Sequence, residues 1–259
     1  MQGSPRANHW SDLRSHRDAL ASNVASALDM ASSGSIEVPH VNVHLGHDSM
    51  THSEGVELLG ASCDLSERAG VRFAHETHRQ RLTYSPWRTP MLLRAEPRAR
   101  LLGDFAHWVL VAEAEPGDPL LDAAVKEVLP KVIATHGRVA SSQAAQVPHP
   151  AAPECARETA TQTGWIEAAW RAQADAQSQP ESQDAAAHLE SVWFTPEFGP
   201  APYMPRLPFT GAPVADLEAV NQWMADWAAE AFAETEAQRA AESDKERQGV
   251  STVWRPIRP

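Results

Sequence analysis

The chain has 259 residues, 42% of them hydrophobic, with 34 acidic residues against 22 Lys and Arg, for a net charge of −12. That length suits one large domain or two small ones. The acidic balance argues against non-specific binding to nucleic acid or anionic membrane, which needs a basic face. Two cysteines give no disulfide framework, so reduced thiols in the cytoplasm are expected.

Residues 1–10, MQGSPRANHW, are polar, lack the apolar core of a leader and read as disordered. Leu13, Leu20, Val24 and Leu28 recur at helical spacing, which predicts a helix over 12–30. Ile36, Val38, Val41 and Val43 predict a strand over 36–45 that ends in His44. A helix over 53–69 with Gly70 as its stop is followed by a strand over 71–76 ending in Glu76. Ser85-Pro86 opens a short helix through Ala95, and a strand over 100–105 carries Asp104. Asp118-Pro119 opens a helix to Val128, and the strand over 130–136 ends in His136.

Residues 140–160 read as loop, and Trp165, Ile166, Ala169 and Trp170 as the buried face of a helix. Low-complexity sequence at 174–187 reads as mobile. A strand over 190–196 leads to Glu197. The proline-rich PEFGPAPYMPRLPF stretch reads as an ordered loop that lays aromatics over a barrel mouth. Leu217, Val220, Met224, Trp227 and Ala231 then mark one buried helix face. A domain over 11–233 is followed by a charged tail, 234–259, expected to be mobile and solvated. No apolar run approaches the roughly 20 residues that span a bilayer.

Alternating strands and helices with one ionisable residue at each strand end are the pattern of a (β/α) TIM-type barrel, whose C-terminal strand ends converge on one face. About five β-α units are countable, which predicts a barrel without its first one or two βα units and with an exposed edge that favours a homo-dimer. Glu, Asp and His converging on one face form a ligand set for a divalent ion, and buried carboxylates in one place need such a cation. A single acid at a strand end is more often a helix cap; several at successive strand ends are harder to explain that way. His44 reads equally as a pocket residue or a loop hydrogen-bonding group, and Trp108 as core or as an aromatic plate for a sugar face. Because side chains alternate, His75 and Glu76 cannot both face inward.

HETHRQR, DFAHW, the THGR strand end and TPEFGPAPYM together resemble the sugar phosphate isomerase/epimerase family of the xylose-isomerase-like TIM barrels, over roughly residues 40–233. The resemblance implies one divalent metal ion (Mn, Mg or Zn) held by Glu76, Asp104, His136 and Glu197. It also implies substrate contacts from His107 and Arg138, with His44 and Trp108 as further substrate-binding candidates. The implied activity is isomerisation or epimerisation of a sugar or sugar phosphate, with Glu76 and Glu197 moving a proton through an enediolate. Competing readings are an inactive barrel remnant and a metal-dependent hydrolase of the apurinic-endonuclease-like type; the latter needs more metal ligands and a basic face.

Overall fold

The computed structural model describes residues 2–3, 13–34, 38–177 and 193–250. The strands are β1 (Gln2–Gly3), β2 (Val41–Val43), β3 (Phe73–Glu76), β4 (Arg100–Gly103), β5 (Val132–Gly137) and β6 (Trp193–Pro196). The helices are α1 (Leu13–Ser33), α2 (His52–Ala69), α3 (Arg88–Ala95), α4 (Phe105–Ala112), α5 (Pro119–Val128), α6 (Ala156–Gln177) and α7 (Leu217–Val250). All strands are parallel and lie in sequence order. β1 contributes only two residues, so the working sheet is the five strands β2–β6.

That sheet is curled. His40, just ahead of β2, and Trp193 of β6 bring their rings to 6.0 Å although three strands lie between them. Strands four apart facing each other across an interior is the curvature of a half-barrel flanked by helices. The strand order is linear, and no pairing closes β6 onto β1 among the described residues.

Local signals in the sequence explain several boundaries. Thr51 caps α2 through a capping box with Glu54, and Gly70 ends it in the left-handed conformation at φ 64°. The Asp118 side chain accepts hydrogen bonds from the Leu120 and Leu121 N–H groups at the start of α5. The larger core lies between sheet and helices, where Val41, Val43, Phe73, Leu101 and Val132 meet residues such as Leu58, Leu59, Trp108, Ile166 and Trp170. The concave side is filled by the small set Ala74, Leu102, Ile133 and Ala134.

A bulge sets the register of β5. Leu101 pairs with Val132, but Leu102 pairs with Ala134, so β5 carries one extra residue. Ile133 and Ala134 therefore both pack on the concave side. From there onward alternation puts His136 on the same row as Asp104.

The sequence and the structure differ at four places. Gln2–Gly3 forms a strand ahead of α1, where no strand and a disordered start are expected; the rest of 1–12 lies outside the described residues. α4 fills a stretch that begins in the expected strand end and otherwise carries no expected element, because FAHWVLVA is almost wholly apolar and shows no helical period. α6 begins at Ala156, inside the expected loop, and runs to Gln177, while 178–192 lie outside the described residues. α7 continues to Val250, beyond the apolar stripe that ends near Ala231. Residues 251–259 lie outside the described residues.

Candidate metal centre

Glu76 closes β3, Asp104 follows β4, His136 lies near the end of β5 and Glu197 follows β6. Each offers a ligand atom, and these atoms all lie within 4.8 Å of one another. The fold thus brings together the four residues expected to hold a metal.

Asp104 occupies the N-cap position of α4 but makes no side-chain cap bond. Its carboxylate is wholly buried and turned into the site instead. Oδ2 accepts a hydrogen bond from Arg138 Nε at 3.2 Å and lies 3.6 Å from His107 Nε2 and 3.8 Å from His136 Nδ1. Arg138 also reaches Glu197 Oε2 through Nη2, at 2.8 Å. His136 Nδ1 and Glu197 Oε2 are in contact, yet neither has the direction a hydrogen bond needs. Asp104 Oδ1 has no hydrogen-bond partner either. Buried polar atoms left this way are costly unless something else engages them.

The Glu76 carboxylate is buried beside β2. Its Oε2 accepts from Asn42 Nδ2 at 2.5 Å and lies 2.7 Å from His44 Nε2. Its own backbone carbonyl accepts from the Thr83 hydroxyl, and the next peptide is held by Thr77 N–H donating to Leu102 O at 3.1 Å. His75, its neighbour, faces the helices: Nδ1 donates to Arg100 O at 2.9 Å and Nε2 accepts from the Ser62 hydroxyl of α2 at 2.9 Å. A carbonyl only accepts, which fixes this tautomer.

Glu197 is held by its backbone. Its N–H donates to Gly137 O at 3.1 Å, extending the ladder of β6. The next two peptides are gripped by side-chain amides, Asn221 on both groups of Phe198 (2.9 and 3.0 Å) and Gln146 on both groups of Gly199 (2.8 and 3.2 Å). Tyr203, further along the proline-rich loop, lies under two guanidinium groups, Arg138 at 4.4 Å and Arg79 at 5.2 Å from its ring centre.

The protonation states follow from these contacts. Burial alone would raise the Glu76 carboxyl, but His44 and His136 outweigh it and bring it down to about 2. Burial likewise opposes ionisation of Asp104, yet His107, Arg138 and His136 hold it well below the usual carboxylate range. Glu197 is pushed up, first by burial and then by the other two acids, despite His136. Burial would lower the His136 imidazole, but Asp104 and Glu197 override it and push it up to about 10. His136 is thus a cation that occupies the centre of three acids. Exchange of its proton for a divalent ion would balance three carboxylates against Arg138 and the ion, and a divalent ion suits this imidazole-and-carboxylate set. The residues present fit such an ion.

The other expected site residues divide. His107 and Arg138 stand against Asp104, and His44 sits directly on Glu76. Trp108 does not belong to the site. It is wholly buried on the helix side of the sheet, its ring tilted against Phe105, and its Nε1 donates to Thr83 O at 3.0 Å. Asn42, Gln146 and Asn221 were not expected at the site, whereas Tyr203 is one of the aromatics expected over the barrel mouth. Asn42 alone carries a legible signal: a polar residue in a strand of valines, one alternation before His44.

No family model, curated protein or solved structure matches the chain. Among the described residues no helix is long and apolar enough to cross a membrane.

Proposed function

We propose that this protein is a metal-dependent isomerase or epimerase acting on a sugar or sugar phosphate. The observation that carries the reading is the convergence of Glu76, Asp104, His136 and Glu197 from four successive strand ends within 4.8 Å. These four residues would hold the ion. When bound, a divalent ion polarises a substrate carbonyl and so acidifies the adjacent C–H.

Glu197 is the proton carrier. It is the most accessible acid of the set, with about a third of its side chain exposed (31%), and its raised pKa suits a group that both takes and returns a proton. Glu76, held as an anion by Asn42 and His44, is the second acid facing the substrate. Arg138 and His107 supply positive charge and N–H groups to an oxygen that gains charge as the proton leaves. Tyr203 closes the mouth over Arg138 and orients the substrate.

The test is exchange of substrate C–H for deuterium. The full chain, loaded with Mn²⁺, is incubated in D₂O with a panel of ketoses, aldoses and their phosphates, and products are read by NMR. Glu197→Gln is expected to lose at least 100-fold in exchange while keeping its fold, the scale of a general acid–base contribution. Full exchange in that variant sinks the assignment. The open edge of the sheet favours a second reading, an inactive remnant, which predicts neither exchange nor metal uptake.

A further inference from the structure

A second group of ligand atoms lies against the first. His44, just past β2, and His78, two residues beyond Glu76, each bring a ring nitrogen within 4.8 Å of the other and of a Glu76 carboxylate oxygen. We infer that His44, Glu76 and His78 bind a second divalent ion, with Glu76 as the carboxylate shared between the two sites. The inference rests on the reading of Glu76 as a ligand of the first site.

The tautomers favour it. His78 Nδ1 lies 2.5 Å from the Arg79 carbonyl oxygen. A carbonyl only accepts, so Nδ1 carries the proton and Nε2 presents a lone pair. A ring held this way, with one N–H on a backbone carbonyl, is how metal-binding histidines are usually oriented. The His44 ring stands 4.5 Å from the His78 ring. His44 Nε2 and Glu76 Oε2, 2.7 Å apart, share one proton, and a cation takes that proton's place.

His107 is an independent pointer. It is wholly buried, and neither ring nitrogen makes a hydrogen bond. Its ring lies 4.0 Å from that of His78, while its Nε2 lies 3.6 Å from Asp104 Oδ2. The ring therefore stands between the two ligand groups, short of the polar partner that a water or substrate oxygen held there would supply.

The donor types narrow the ion. Two imidazoles and one carboxylate suit Zn²⁺, Mn²⁺, Fe²⁺ or Co²⁺ rather than Ca²⁺ or Mg²⁺, which prefer oxygen. Three protein ligands leave a coordination position open for water or a substrate oxygen. The first site, with three carboxylates and one imidazole, is the harder of the two and the more tolerant of Mg²⁺.

The experiment uses the full chain stripped with a chelator and titrated with Mn²⁺, with bound ions counted by equilibrium dialysis and their coupling read by electron paramagnetic resonance. Two ions per chain are expected, with an exchange-coupled spectrum because one carboxylate joins them. His78→Ala is expected to bind one ion with an uncoupled spectrum, and Asp104→Asn to lose the ion of the first site. One ion in the native chain, lost in Asp104→Asn and kept in His78→Ala, overturns the second site and leaves the proposed function standing. No ion at all overturns both. Two ions with His78→Ala unchanged overturns the ligand assignment. Should His78→Ala fail to fold, the coupled or uncoupled spectrum of the native chain decides.

Discussion

Gly137 couples the fold to the site, and its replacement by alanine tests both. A methyl at this position of β5 would lie 2.8 Å from Phe194 Cε2, closer still to Cζ, and 3.1 Å from Met224 Cε. The Phe194 ring cannot swing aside freely, because Trp170 and Trp227 pack against it at centroid distances of 5.9 Å. A glycine inside a strand at such a close approach marks a backbone position with no room for a side chain. Overpacking of this kind costs about 1–3 kcal/mol. For a chain of this size that is a fall in Tm of roughly 2–12 °C, at about 2–4 °C per kcal/mol. The strain falls on the pairing of β5 with β6, at the residue whose carbonyl accepts from the Glu197 N–H. Gly137→Ala should therefore also shrink the rise in Tm on adding Mn²⁺. Differential scanning calorimetry with and without the ion reads both effects. Phe194→Leu, which makes space, should recover most of the loss when combined with Gly137→Ala, giving a coupling energy of about 1 kcal/mol or more. Strictly additive costs in the double variant, or a Gly137→Ala protein with native Tm and native response to Mn²⁺, would refute the reasoning.

Three further outcomes are expected. A divalent ion at about 100 times its Kd should stabilise the native chain by about 2.7 kcal/mol, roughly 5–11 °C in Tm, and the shift should vanish in the double variant Asp104→Asn/His136→Ala if these residues hold the ion. Burial brings His75 down to about 4, against 6.5 for the free side chain, so the unfolded chain takes up a proton that the folded chain refuses. Stability should then fall as pH drops from 6.5 to 4, by about 3 kcal/mol from this residue, and urea titrations of His75→Gln should show a total fall over that range smaller by that amount. Trp108→Phe should cost about 1–3 kcal/mol by leaving the Thr83 carbonyl without its donor, with KM unchanged for any substrate that the native protein turns over; a raised KM would return Trp108 to the site.

The residues of the candidate metal centre were legible because each ends an apolar run, and parallel strands deliver their ends to one face. The same rule placed His75 under a helix once Glu76 was taken as inward. Features that depend on residues far apart in sequence were not legible. Gln146 and Asn221 grip the peptides after Glu197 from a loop and a helix, and nothing in their neighbours distinguishes them from surface amides. α4 hid because a helix with apolar residues all round has no polar face to give it a period. The end of α7 was placed too early for the opposite reason. Beyond Ala231 the sequence keeps strong helix formers such as Ala, Glu, Gln and Arg while losing its apolar stripe, and loss of packing was mistaken for loss of helix. Trp108 was misplaced because a tryptophan close to a site residue in sequence can still lie on the other side of the sheet.

The extra residue in β5 makes the site respond unequally to two kinds of sequence change that side-chain substitutions do not sample. Deleting Ile133 would restore an unbroken ladder with β4 and would leave Ala134 opposite Leu102 and His136 in line with Asp104. Inserting a residue between Ala134 and His136 would instead turn His136 toward the helices, since a shift of one residue exchanges the two faces of a strand. Among descendants of this sequence, therefore, single-residue insertions past the bulge should be far rarer than loss of Ile133. A library of single-residue insertions and deletions would show a sharp minimum in function for insertions at 135, with deletion of Ile133 tolerated.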